Sequence, residues 1–584
     1  MRRILPFLSL AASIAARKDS DTSSSTTPTS STEGTANSAV PSVDLQSFSR
    51  ESDDDQSIAK LIFTIPPDDS YYNANVTVGD DTVQLRLDLN QPEIWVMNQN
   101  FYACDEIFSF YSAEYESYGS SMPASVTNDP LYTATACAGG GVYSTTSDIP
   151  TPTIPGLSNG QTYTIPNLDT IEAEGKFETA NVSVVLGSNQ RLKLPDFSFV
   201  NVDTTNMWLG GLGLAGNPTG SGFLDSLVQQ GVIKSSGYSL WFNGVTDPGG
   251  ICELLLGAVD QHYYEGDLYS FDIVPYVGGK SNDYTDQLLQ GLKLPSVLLS
   301  DLKVRNENSK EEQSLFSESD GVPVLLESRA MYSYLPLDSI INLAIQLDAI
   351  YNNDVAQWIV ECDKIYGANA SLIFSFGDLD IDISMSDLIS NATYGDTFLT
   401  FSNGKQACYL MVLPSSQHGY SSLGLTFLRH VYLALDNDGG HIALAKANSL
   451  DVAQDDFSTS KPASDFPTGT MANITASTIS RISSGKIPFA TYQNQTTTSL
   501  TYSATNSGAQ DIPERFTGAV ISSGQIFLTG VSGSSAIASP ADESTAKIHS
   551  GGSATYGVGL RSVKTEVQIV MTILAVGMMT LVLI

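Results

Sequence analysis

The chain has 584 residues, 42% of them hydrophobic, with a formal net charge of −35 and a pI near 4.2. Length and apolar content allow a large core and more than one domain. So acidic a surface repels phosphate, which excludes nucleic acid as a partner, and it fits work at acid pH, basic partners or solubility.

In chain order, residues 1–15 read as a secretory signal. Met1-Arg2-Arg3 is followed by a short apolar run, Ile4 to Ile14, with small residues near Ser13-Ile14-Ala15. Residues 16–57 are rich in Ser, Thr, Asp and Gly and predict a disordered leader or pro-segment with few basic residues, Arg17, Lys18 and Arg50 among them. From Lys60 to about Asn448 the pattern is short strands broken by Gly and Pro turns, the mark of an all-β fold. Two stretches have helical spacing, Gly222 to Gly231 and Leu337 to Tyr351. An insert over 101–166, rich in Tyr, Ser, Thr and Pro, reads mostly as loop.

Residues 449–553 are Ser/Thr-rich with little apolar periodicity and predict an O-glycosylated stalk. Residues 554–584 then match a GPI-anchor signal. Small residues at Ser550-Gly551-Gly552-Ser553 precede a spacer, Ala554 to Glu566, and an uncharged apolar tail, Val567 to Ile584. The alternative is a tail-anchored membrane helix. The cleavable signal and the missing basic flank favour the GPI reading, and hence a surface location reached by secretion. Six N-glycosylation sequons, at Asn75, Asn181, Asn369, Asn391, Asn473 and Asn494, agree with that route. Five cysteines leave one unpaired within the chain, and sequence alone does not fix which.

The stretch from Gln84 to Val96 organises the rest. Leu85, Leu87 and Leu89 alternate with polar residues, as in a half-buried strand. Asn90, Gln91 and Pro92 make a turn, and Ile94-Trp95-Val96 restarts the apolar run. Asp88 therefore ends a strand with core on both sides, either as a turn cap or as a carboxylate held in a cleft. A second stretch repeats the pattern. Val324-Leu325-Leu326 leads into Glu327-Ser328-Arg329, and Tyr334-Leu335-Pro336 follows before the second helical stretch.

These stretches resemble the two active-site segments of the pepsin-like aspartic proteases. There each acid is followed by Thr or Ser and then Gly. Here Asp88 is followed by Leu89-Asn90, and Glu327 by Ser328-Arg329. Other segments resemble the family in the same order. Tyr71 to Gly79 is similar to the strand before the first acid, Met207 to Gly216 to the loop crossing beneath it, and Ser422 to Arg429 to the counterpart of that loop. The resemblance covers roughly residues 70 to 447. The GPI-type ending, the Ser/Thr stalk and the long insert between Cys104 and Cys137 resemble the fungal yapsins.

The resemblance implies a bilobal all-β fold, with an N-terminal lobe over 58–265, a C-terminal lobe over 266–448 and a cleft between them. It implies that Asp88 and Glu327 face each other on the cleft floor, near Asn90, Trp95, Ser328 and Arg329. It sets Asn167 where the family has its flap tyrosine and Thr170 where it has its flap glycine, with Tyr163 four residues away. It implies disulfides Cys104–Cys137 and Cys362–Cys408, which leaves Cys252 as a buried thiol. It implies no cofactor.

Two functions follow. One is a surface aspartic endopeptidase acting on wall or secreted polypeptides, in the yapsin manner after basic residues. The other is a non-catalytic relative that binds peptide or wall components in the same cleft. The second draws on the residues. Glu327 is one methylene too long, and Arg329 sets a fixed charge beside an acid that must share a proton. Glu327 and Arg329 also suit a plain ion pair. Other motifs fail. Gly211-x-Gly213-x-x-Gly216 lacks a βαβ setting, and Gly156 to Gly160 lacks a strand-to-helix turn. Asp378, Asp380 and Asp382 read as a solvated face. Five scattered histidines offer no metal-ligand spacing.

Overall fold

The computed structural model describes residues 58–449, apart from 67–70, 100–139, most of 145–159, 166–170, 245–249, 279–290, 317–320 and a few single residues or pairs, and then 478–502 and 512–528. The signal, the leader, most of the insert, the GPI-type segment, Cys104, Cys137, Asn167, Thr170 and Asn473 all lie outside the described residues.

The fold is all-β, built as the pepsin-like pattern predicts. One sheet of fourteen strands runs through it. Six successive strands of that sheet draw on both halves of the chain. They are Tyr264–Asp272, His441–Ala447, Val431–Asp436, Gly237–Phe242, Ile251–Leu256 and Lys60–Thr64. Cys252 sits in this run as a buried free thiol. On one side of the run the sheet continues through Asn73–Val78 and Asp81–Asp88 into the first acid-bearing region. The second acid directly follows a strand, Val322–Leu326, of a separate five-stranded sheet.

Both predicted helices form. Phe223–Gln229 buries Phe223, Leu224 and Leu227. Leu337–Leu347 buries Ile340, Leu343, Ala344 and Leu347, the spacing of one helical face. It ends short of Tyr351 because Asp348 turns left-handed, with φ of +54°. Tyr351 belongs to the strand Ile350–Asn352 instead. Cys362 starts the helix Cys362–Ala368 and is bonded to Cys408 on the strand Ala407–Leu410. Asp380 and Asp382 lie on the strand Leu379–Ser384, paired with Lys303, Arg305 and Lys446 at 3.3–3.8 Å. Asn75, Asn181, Asn369, Asn391 and Asn494 are all exposed.

The stalk expectation needs correction over 478–502 and 512–528, which fold onto the body. Ile479–Arg481 pairs with Ala258–Asp260, and Ala490–Tyr492 adds a parallel edge strand beside Tyr264–Asp272. Leu500 bridges to Tyr276. The hairpin of Ala519–Ser522 and Gln525–Leu528 pairs with Thr400–Phe401. Ile482, Leu500 and Ile526 are buried. Composition hid this because the segment enters existing cores through single apolar residues and so has no amphipathic period of its own.

Candidate active-site cleft

Asp88 closes the strand Asp81–Asp88, and the chain turns at once into Ile94–Met97. A third strand, Gly210–Gly213, returns between these two. It runs parallel to the first, with Asp88 opposite Gly213, and antiparallel to the second, with Ile94 opposite Leu212. The second half repeats this arrangement. Val322–Leu326 leads to Glu327, Ser333–Leu335 follows the turn, and Ser422–Leu423 returns between them. A Cβ on Gly213 would overlap the carbonyl oxygens of Gln91 and Glu93. One on Gly424 would overlap those of Ala330 and Tyr332. These are the third and fifth residues after each acid, so each returning chain crosses its turn at a place only glycine allows.

The two turns face each other and are joined by side chains. Ser328 Oγ donates to the Leu87 carbonyl at 2.9 Å and accepts from the Leu89 N–H at 3.2 Å. Leu89 has no hydroxyl with which to reciprocate. Asn90 N–H donates to Asp88 Oδ1 and Arg329 N–H to Glu327 Oε1, both at 3.1 Å, so the turns bind their acids alike. Across the floor, Asn90 Nδ2 donates to Glu327 Oε2 at 2.7 Å. Arg329 grips Glu327 with two donors, Nε to Oε1 at 2.7 Å and Nη2 to Oε2 at 2.9 Å. Its Nε also lies 3.6 Å from Asp88 Oδ1. Asp88 and Glu327 thus come together around one guanidinium.

A family model for the eukaryotic aspartyl proteases matches residues 71–447. The chain belongs to that family. It is 32% identical over 332 residues to the aspartic proteinase yapsin-7 of Saccharomyces cerevisiae, covering 53% of this chain and 52% of that one. It is 30% identical over 314 residues to the aspartic proteinase MKC7 of the same yeast, covering 50% and 48%. It is 27% identical over 267 residues to the probable aspartic-type endopeptidase OPSB of Arthroderma otae, covering 44% and 52%. The aligned part therefore spans about half the length of these relatives.

As a family member the chain has unusual electrostatics at its floor. Arg86, two residues before Asp88 and on the same face of its strand, donates from Nη2 to Asp88 Oδ2 at 3.2 Å. Its guanidinium lies 5.5 Å from the Trp95 ring and 6.0 Å from that of Tyr71, within cation–π range. Sequence reasoning passed over Arg86 because a polar residue in that slot fits a half-buried strand. In the structure both faces of the strand are buried from Leu85 onward. The signal available was the i, i+2 spacing, which puts Arg86 and Asp88 on one face.

Asp88, Glu327 and Arg86 have no side-chain exposure and Arg329 has 1%. Two carboxylates and two guanidinium ions balance in a buried network, where charge-assisted bonds are strong. The plain Glu327–Arg329 ion pair forms, and it extends to the first acid. All four carboxylate oxygens accept a donor from this chain. In pepsin-like catalysis two acids share one proton and act on a water; here each acid oxygen already has a protein partner.

Trp95 is fully buried, and its Nε1 donates to Gln91 Oε1 at 3.0 Å. Tyr163 donates to Glu93 Oε1 at 2.7 Å, a contact that sequence reasoning missed. Among the described residues no helix is long and apolar enough to cross a membrane.

Proposed function

We propose that this chain is a surface-anchored relative of the yapsins that receives polypeptide chains in its cleft and hydrolyses them weakly or not at all. The observation that carries the reading is the occupation of all four oxygens of Asp88 and Glu327 by Arg86, Asn90 and Arg329. A lytic water needs one of those oxygens as its base. The family match supports a polypeptide as the ligand, and the acidic surface supports a basic one. The apolar tail after the small residues at 550–553 supports a GPI anchor. The exposed sequons at Asn75, Asn181, Asn369, Asn391 and Asn494 support glycosylation on a secretory route.

The competing reading is a working aspartic endopeptidase, which the named relatives favour. Peptide cleavage by the purified protein at acid pH, abolished by Asp88→Asn and by pepstatin-type inhibitors, would establish that reading and overturn ours. The informative companion is a repaired protein carrying Leu89→Thr, Asn90→Gly, Glu327→Asp and Arg329→Gly, with Arg86→Val added because the structure shows it bound to Asp88. Weak acid-pH cleavage should appear in the repaired protein and be absent or much smaller in the parent. A repaired protein with the parent's thermal midpoint and no gain in cleavage would show that the deficit extends beyond the network.

A further inference from the structure

Glu93 lies in the turn between Asp88 and Trp95, and its side chain is buried. Its Oε1 accepts the Tyr163 hydroxyl, while its Oε2 has no hydrogen-bond partner among the described residues. Tyr163 opens the short strand Tyr163–Thr164, which forms a hairpin with Ala173–Val185. The Tyr163 ring packs against Phe177 with centroids 4.9 Å apart, in an apolar cluster that includes Trp95, Met97 and Val202. A buried hydrogen bond therefore joins the hairpin to the acid-bearing turn.

We propose that Glu93 is a positioning residue, whose protonation holds the Tyr163 edge of the hairpin docked against the acid-bearing turn and whose ionisation releases it. The proposal deepens the polypeptide-cleft reading and rests on it for its purpose, since the hairpin borders the same turn.

Few charged groups face Glu93. Asp88 comes from its own chain segment, and Arg86 is engaged with Asp88. Tyr163 comes from the hairpin. The returning strand Gly210–Gly213 carries no titratable side chain. Glu172, Glu174 and Lys176 on the far arm of the hairpin are exposed. Among the described residues no salt bridge reaches Glu93, unlike Asp88 and Glu327. Burial accordingly pushes its carboxyl up from 4.5 to about 7, against the opposing pull of the Tyr163 hydrogen bond. Separating the hairpin from the turn hydrates the carboxyl and returns it toward its ordinary value. The docked arrangement therefore binds the proton more tightly, is favoured at acid pH, and is lost as pH rises through about 7.

The test is amide hydrogen exchange on the full chain from about pH 5 to about pH 8, corrected for the intrinsic rate. It is read in peptides covering 161–165 and 171–177. Protection there should fall some tens-fold, steadily from about pH 5 and levelling off above about 7. Glu93→Gln should keep protection high across the range, and Tyr163→Phe should lower it at acid pH. Protection independent of pH in the parent, or an equal pH dependence in Glu93→Gln, overturns the proposal. The parent's titration decides alone if either variant misfolds. Binding of a basic peptide is measured separately. No binding together with pH-dependent exchange would refute the cleft reading and leave the Glu93 latch standing.

Discussion

Four charged side chains meet under the cleft, and only some were visible in advance. Asp88 and Glu327 stood out because each interrupts an apolar run just before a turn. Arg329 stood out because it occupies a glycine's place. Arg86 did not, since an isolated arginine on an alternating strand looks like a solvent-facing residue until Trp95 and Tyr71 are seen to cover it. Glu93 was hidden for a related reason. Its side-chain hydrogen-bond partner among the described residues, Tyr163, is 70 residues away in the chain, beyond any local pattern. Glu93 also makes a prediction for the whole fold. Its carboxyl is pushed up to about 7 in the folded chain from an ordinary 4.5, so folding binds a proton between those values. The stability it lends is fully present below about 4.5 and is lost as pH rises through about 7. Denaturant unfolding across that window should show the parent losing about 3 kcal/mol that Glu93→Gln does not lose. Identical pH slopes in the two proteins would refute it.

At the scale of elements, the strands around both acids were legible because turn residues and apolar alternation coincide there. The helix Leu337–Leu347 was legible in its face but not in its end, which depends on the left-handed residue Asp348. The strands between Ile479 and Leu528 were not legible. A chain rich in Ser and Thr can pair as strands when a neighbouring edge supplies the partners, and scattered apolar residues, Ile482, Leu500 and Ile526 the most deeply buried, anchor it in the body. These anchors are deeply buried, so each truncation leaves a cavity. Ile482→Ala and Ile526→Ala should each lower unfolding stability by about 2–5 kcal/mol, measured by denaturant titration. The same substitution in a true stalk would change nothing, and a null result at both positions would restore the stalk reading.

At the scale of the molecule, the net charge of −35 gives the surface a long-range field. Association with a basic polypeptide should therefore be fast at low salt and slow as ionic strength rises, with a smaller change in dissociation. Stopped-flow rates at two salt concentrations check this, and a salt-independent association rate would remove the case for a basic ligand. The folding of 478–528 onto the body also sets a distance. Had the stalk begun after Asn448, about 100 residues would separate the cleft-bearing body from the proposed anchor at 550–553, a reach of up to ~350 Å when extended. The last paired strand ends instead at Leu528, which leaves about 20 residues and at most ~80 Å. Were the proposed anchor in use, so short a leash would keep the body near the membrane, and the polypeptides within its reach would be those at the lipid surface or passing close over it.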